Sequence, residues 1–165
     1  MSARVVAVIV ALASTPLAVH AQQTQLDVHG NLAVGTSTHT RAWGAGIGLQ
    51  TTYGGKTDPI NISTSPSIDV LKQEGGGPTQ LSASYDVDLQ PGGGGNLTPY
   101  VGASAGANWS LGDASQWGGA RLGLETLAGA QVKLGGTSIK AEERFGYVKG
   151  QEHTLTTRIG ALLSF

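Results

Sequence analysis

Asp27 and His29 stand two residues apart, a spacing that sets an acid and a base side by side on one face of an extended strand. Such a pair could orient a proton-transfer group. His153 precedes Thr154, an approximation to the imidazole and hydroxyl of an acyl-transfer site, which would need an acid to orient the ring. His39 and His153 lie too far apart for a recognised metal spacing. There is no cysteine, so neither thiolate chemistry nor a disulfide is available. Each feature also has a plainer account: alternating polar residues on a buried barrel face supply neighbours such as Asp27 and His29 routinely. The expectation is therefore no catalytic residue, no metal and no cofactor.

The elements that carry these residues follow from composition and period. Arg4, the apolar run Val5 to Ala13, Pro16 and the ending Val19, His20, Ala21 read as a secretory signal peptide over Met1–Ala21. The apolar run is too short to cross a bilayer as a helix, which takes ~20 residues. Gln22 to Phe165 is enough for one domain. Ten Lys or Arg against eleven Asp or Glu give a net charge of −1, so there is no electrostatic case for nucleic acid. The 26 glycines would make a poor water-soluble core, yet a charged fraction of only 13% is not that of a disordered chain. Hydrophobicity is distributed, and its period decides the class.

That period is two. Leu155, Thr157, Ile159, Ala161, Leu163 and Phe165 share one face, opposite Thr154, Thr156, Arg158, Gly160 and Ser164. The length suits a tilted membrane strand, ~9–11 residues. The same alternation recurs over Leu26 to Val34, Trp43 to Tyr53, Leu81 to Leu89, Tyr100 to Trp109, Ala120 to Leu134 and Ile139 to Tyr147. A weaker run covers Ile60 to Val70, where Pro66 removes a ladder donor and leaves the register open. Turn-rich breaks separate the runs. Eight strands, an even number, place both ends on the periplasmic side. The fold expected is all-β: an eight-stranded antiparallel up-and-down transmembrane β-barrel over residues 22–165.

The aromatics give a separate check. Tyr53, Tyr100 and Phe165 fall at periplasmic strand ends, and Trp43, Trp109, Trp117 and Tyr147 at outer ends, as two girdles at headgroup level would. On the opposite face parity sets Asp27, His29, Asp69, Asp86, Asp88, Glu125 and Glu142 with Arg121, Lys133, Lys140, Arg144 and Arg158. Six acids against five bases suits a closed polar interior, since an unpaired buried charge is costly. Alternation by itself would also allow a soluble periplasmic barrel holding a small apolar ligand. The girdles, the terminal Phe165 and the charge balance favour lipid outside.

Three segments carry a family resemblance: LTPYVGASAG (Leu97 to Gly106), SIKAEERFGYV (Ser138 to Val148) and the ending RIGALLSF (Arg158 to Phe165). They resemble the small outer-membrane β-barrels related to the OmpA membrane domain, OmpX and the opacity proteins. The resemblance implies a place in a Gram-negative outer membrane, with lipids around a monomer and insertion by the barrel-assembly machinery through the C-terminal strand. It implies adhesion, envelope integrity or small-solute leakage as roles. Glu143 departs from it, because such proteins usually place an aromatic there and parity turns this carboxylate toward lipid. A bulge or a partner would resolve that. Some barrels of this size act on lipid A, but His153 lacks the downstream Ser and Asn that a deacylase of that kind would require.

The reading is thus a non-enzymatic barrel with a structural, envelope-integrity or surface-interaction role. A narrow porin-like passage ranks second and a lipid A-modifying enzyme third. The inward-facing Gly44, Gly46, Gly48, Gly102 and Gly106 are expected to make room for long side chains such as Arg121, Arg144 or Arg158.

Overall fold

The computed structural model describes residues 21–165 apart from residues 56, 94 and 112–119. Nearly all of the signal-peptide segment, the girdle residue Trp117 and most of the loop at 110–116 therefore lie outside the described residues. Eight strands follow one another: β1 (Ala21–Gly35), β2 (Arg41–Tyr53), β3 (Ile60–Gln73), β4 (Thr79–Pro91), β5 (Leu97–Leu111), β6 (Arg121–Leu134), β7 (Thr137–Val148) and β8 (His153–Ser164). Each pairs antiparallel with the next, and β8 returns to β1 to close the barrel. Closure leaves no strand edge unpaired, the condition for a sheet in lipid.

The strands run 12 to 15 residues, and all but β6 are longer than the apolar alternation suggested, because strand ends continue the ladders past it. Leu71, one residue beyond the expected run Ile60 to Val70, belongs to β3 and pairs with Gln80. Pro66 is accommodated in the third strand. It pairs with Tyr85 on the β4 side, and the β2–β3 ladder skips it, passing from Gly48↔Ser67 to Thr51↔Thr64 in one unbroken register. A single missing donor is thus absorbed on one side.

The exterior is apolar along its height, with Leu32, Ile47, Ile68, Val101, Leu124 and Ile159 all well exposed. The interior holds Asp27, His29, Asp86, Lys140, Glu142, Arg144 and Arg158, each nearly sealed from solvent. This is the reverse of a soluble barrel, whose interior would be apolar, and it discounts the periplasmic ligand-binding alternative. Glu143 does face outward, and no bulge intervenes, since β7 keeps one register with both neighbours. Its partner is the residue directly across the ladder: Thr157 Oγ1 donates to Glu143 Oε1 at 2.8 Å.

Candidate functional site

The polar interior gathers side chains from all eight strands, β2 supplying Gln50, whose Nε2 donates to Gln131 Oε1 at 3.5 Å. Arg144 on β7 is its hub. Nη1 and Nη2 donate to the two oxygens of Asp86 on β4 at 2.9 and 2.8 Å, Nη1 also to Glu142 Oε1 at 2.9 Å, and Nε to Glu125 Oε2 on β6 at 2.8 Å. Arg158 on β8 extends the cluster: Nε donates to Asn31 Oδ1 at 2.9 Å and Nη2 to Asp69 Oδ2 at 3.2 Å, while Nη1 lies 3.6 Å from Asp86. Planar forked guanidinium groups suit this work, because each can bridge carboxylates on separate strands at fixed angles.

Below Arg144, toward the end that carries the termini, Lys140 Nζ lies 3.2 Å from Glu142 Oε2 and 5.1 Å from the centre of the Tyr100 ring. The Tyr100 hydroxyl donates to Glu142 Oε2 at 2.8 Å. Tyr100 is therefore a correction to the girdle reading. It sits at the expected height but points inward, 5% exposed, because its position has inward parity and Glu142 accepts its hydroxyl. Leu127 and Leu162 also face the lumen and are buried there, apolar filler on inward positions.

Asp27 and His29 do come together, and with a third member. His29 Nδ1 is 3.1 Å from Asp27 Oδ1, and Nε2 is 2.7 Å from Asp69 Oδ1 on β3. Asp69 also accepts from Asn31 Nδ2 at 2.7 Å. Both ring nitrogens are engaged by carboxylates and the side chain is fully buried, so neither nitrogen faces a position where a substrate could sit. The pair cross-links strands.

The expected charge balance needs a second correction. Arg121 and Lys133 have inward parity but lie at opposite rims, exposed, and form no ion pair among the described residues. Parity fixes the face and says nothing of depth. The sealed charges are Asp27, Asp69, Asp86, Asp88 and Glu142 against Lys140, Arg144 and Arg158. Asp88 stands apart: its Oδ1 has no hydrogen-bond partner among the described residues.

The glycines do make room, though not for arginines. A methyl on Gly46 would collide with Asp69 Oδ1 and reach His29 Nε2 at 2.5 Å, and one on Gly102 would strike Asp88 Oδ1. On Gly44 it would run into the backbone of Val70 and Leu71. The space on β2 and β5 is used by acids, a histidine and close backbone approach.

Above the Arg144 layer the lumen opens. A cavity of about 490 Å³ is floored by Arg144, Arg158 and Asp69, and walled by small or short polar residues such as Ser82, Ser84, Asn108 and Thr156. At its rim Glu152 ties two loops. It accepts from Ser37 Oγ at 2.5 Å, from the backbone N–H groups of Ser37 and Thr38 at 2.8 and 3.0 Å, and from the Thr38 hydroxyl. The hydroxyls of Ser37 and Thr38, followed by their backbone amides, hold the Glu152 carboxyl down at about 2. Nothing in the sequence announced this tie.

The remaining predicted residues line the outside. Trp43, Trp109 and Tyr147 mark the loop end, Tyr53 and the fully projecting Phe165 the other. His153 faces outward with them, its ring stacked on Phe145 at 5.4 Å and tilted against Tyr147 at 5.2 Å. The residue two further along that face is Leu155, which offers no nucleophile. His153 thus serves as a member of the girdle.

Comparison with solved structures gives the fold its context. Neisserial surface protein A superposes with a TM-score of 0.65 at 16% identity, covering 86% of this chain and 97% of that one. This is the fold of a small outer-membrane barrel. The attachment invasion locus protein Ail of Yersinia pestis gives a TM-score of 0.56 at 14% identity over 87% and 98% of the two chains. The outer membrane enzyme PagL gives 0.52 at 15% over 84% and 99%. No family model matches the sequence, and no curated protein matches it. An outer-membrane barrel fold with its apolar wall turned outward and its charges sealed within has its place in the outer membrane.

Proposed function

We propose that the protein is a non-conducting, non-enzymatic outer-membrane barrel whose role is structural or lies in surface interaction at its loop end. The observation that carries this reading is the layer of ion pairs across the lumen. Arg144, Asp86, Glu142 and Arg158 meet there from β4, β7 and β8, with Leu127, Tyr100 and Leu162 packed on the side of the termini. A passage would need water where these groups lie within hydrogen-bond distance of one another. Reconstituted in planar bilayers, the protein is expected to give no conductance steps. Regular single-channel steps would overturn the reading in favour of the porin-like one.

The fold it shares with PagL leaves the enzyme question to the side chains. His29 has both nitrogens occupied, and the His153 ring, packed on Phe145 and Tyr147, makes no ion pair with a carboxylate among the described residues. Expression is expected to leave lipid A unchanged, and a deacylated product would sink this part. The closer kinship with OmpA, OmpX and opacity-type barrels rests on Leu97 to Gly106, Ser138 to Val148 and Arg158 to Phe165. In the same reading, Met1–Ala21 directs export, the assembly machinery takes hold of β8, and the protein works as a monomer.

A further inference from the structure

The outward wall of the barrel is nearly free of charge. Among the described strand residues its charged side chains are Arg41, Lys72 and Glu143, and Glu143 is held by Thr157. The two cations stand together. Lys72 on β3 pairs across the ladder with Trp43 on β2, and Arg41 lies two residues beyond Trp43 on the same face. Residues in that diagonal relation are ~7–8 Å apart at the backbone, within reach of two long side chains converging on one group.

Both cations are exposed, and Trp43 is 57% exposed beside them. No carboxylate among the described residues is within ion-pair distance of either, and that includes the nearby Glu74. The termini end shows the contrast. Its outward strand positions among the described residues are apolar or neutral, among them Tyr53, Ile60, Leu97, Leu134 and Leu163.

A cation on a lipid-facing wall is tolerated only at headgroup depth, and Trp43 marks that depth. What neutralises it there is the headgroup itself. We propose that Arg41 and Lys72, with Trp43 seated at the boundary of sugar and acyl chain, form a binding site for the phosphate of an outer-leaflet glycolipid. The guanidinium supplies a forked pair of donors to phosphate oxygens and the ammonium a point charge. The site is built by the β2–β3 register from residues on separate strands. It uses no loop, and it rests on the proposed orientation with the loops outside.

The test is native mass spectrometry of the folded protein from detergent micelles doped with bisphosphorylated lipid A, its dephosphorylated counterpart or phosphatidylglycerol. The expected result is a retained adduct with bisphosphorylated lipid A. It should fall at least tenfold for the dephosphorylated lipid and for the double variant Arg41→Gln/Lys72→Gln, and by an intermediate factor for Lys72→Gln alone. Lys149→Gln, which removes an exposed cation in the β7–β8 loop, should leave it unchanged. Equal adducts in the double variant or with dephosphorylated lipid, or an equal loss in Lys149→Gln, would overturn the site. Phosphatidylglycerol bound as well as lipid A would overturn the choice of glycolipid. Heat-modifiable mobility on a gel shows that each variant has folded, and its absence from the wild type would instead count against the membrane barrel itself.

Discussion

The two halves of the lumen are built from the same alternation and end up unlike. Toward the termini, and up to Arg144, charged and bulky groups fill the interior: Arg144, Lys140 and Leu162 are among its largest sealed side chains. Toward the loops many inward positions are short, among them Ser82, Ser84, Gly106, Asn108 and Thr156, and they leave a cavity. Inward parity asks only for a polar or small residue, and both halves satisfy it. What separates them is side-chain length, with glycines opposite Asp88 and Glu142 in the packed half. The packed half holds the barrel as a plug; the open half is shaped by the rim.

Arg144→Ala should break that difference most strongly. It removes the one group bonded to Asp86, Glu125 and Glu142 together and leaves the sealed Asp86 with only the 3.6 Å ion pair to Arg158 among the described residues, for which ~3–5 kcal/mol is the expected loss. Urea titration of the protein folded in vesicles would read this as a lowered midpoint, and an unchanged midpoint would mean that the plug is not a source of stability.

Adding the same side chain to each half tests the packing. Gly46→Leu must displace Asp69 and His29, an overpacking expected to destabilise by ~1–3 kcal/mol. Ser82→Leu projects into the cavity and should stay within ~0.5 kcal/mol of wild type. Comparable midpoints for the two would erase the distinction between the halves.

Asp88→Asn sharpens the account of charge within the packed half. Asp88 is sealed, its Oδ1 has no partner among the described residues, and acids outnumber bases among the sealed side chains. A neutral isostere should stabilise by ~1 kcal/mol. A lowered midpoint would reveal a cationic partner for Asp88.

The smallest expected effect is at the open rim. The Glu152 carboxyl is depressed to about 2 from an ordinary value of 4.5. Its contribution is therefore fully present above about 4.5 and is lost as the pH falls toward about 2. Amide exchange at Ser37 and Thr38 should quicken over that window and be fast at every pH in Glu152→Gln. The global unfolding midpoint should hardly move, because the tie is local to two loops.

The fold was legible because strand identity and face are local properties. Ile159, Ala161 and Leu163 alternate with Arg158, Gly160 and Leu162 whatever the rest of the chain does, and eight such runs with turns between them leave few topologies. Pro66 blurred its strand, since a missing donor can be tolerated on one ladder and the sequence does not say which. Tyr100 was misread because its height in the membrane was inferred correctly while its inward parity was overruled by the expectation of a girdle. The Glu152 tie had no signal, because Ser37 and Thr38 lie 115 and 114 residues away.

The sequence by itself therefore determined the class, the order of strands, which face meets lipid and which residues are candidates for the interior. Only the tertiary structure decided that Arg144 bridges Asp86 and Glu125, that His29 is held between Asp27 and Asp69, that Arg121 and Lys133 stay at the rims, and that Arg41 and Lys72 share one patch. The reason is physical. Alternation is set by the pleat within a strand, whereas partners and depth are set by the register between strands and by closure of the sheet, which bring together residues that no local pattern relates.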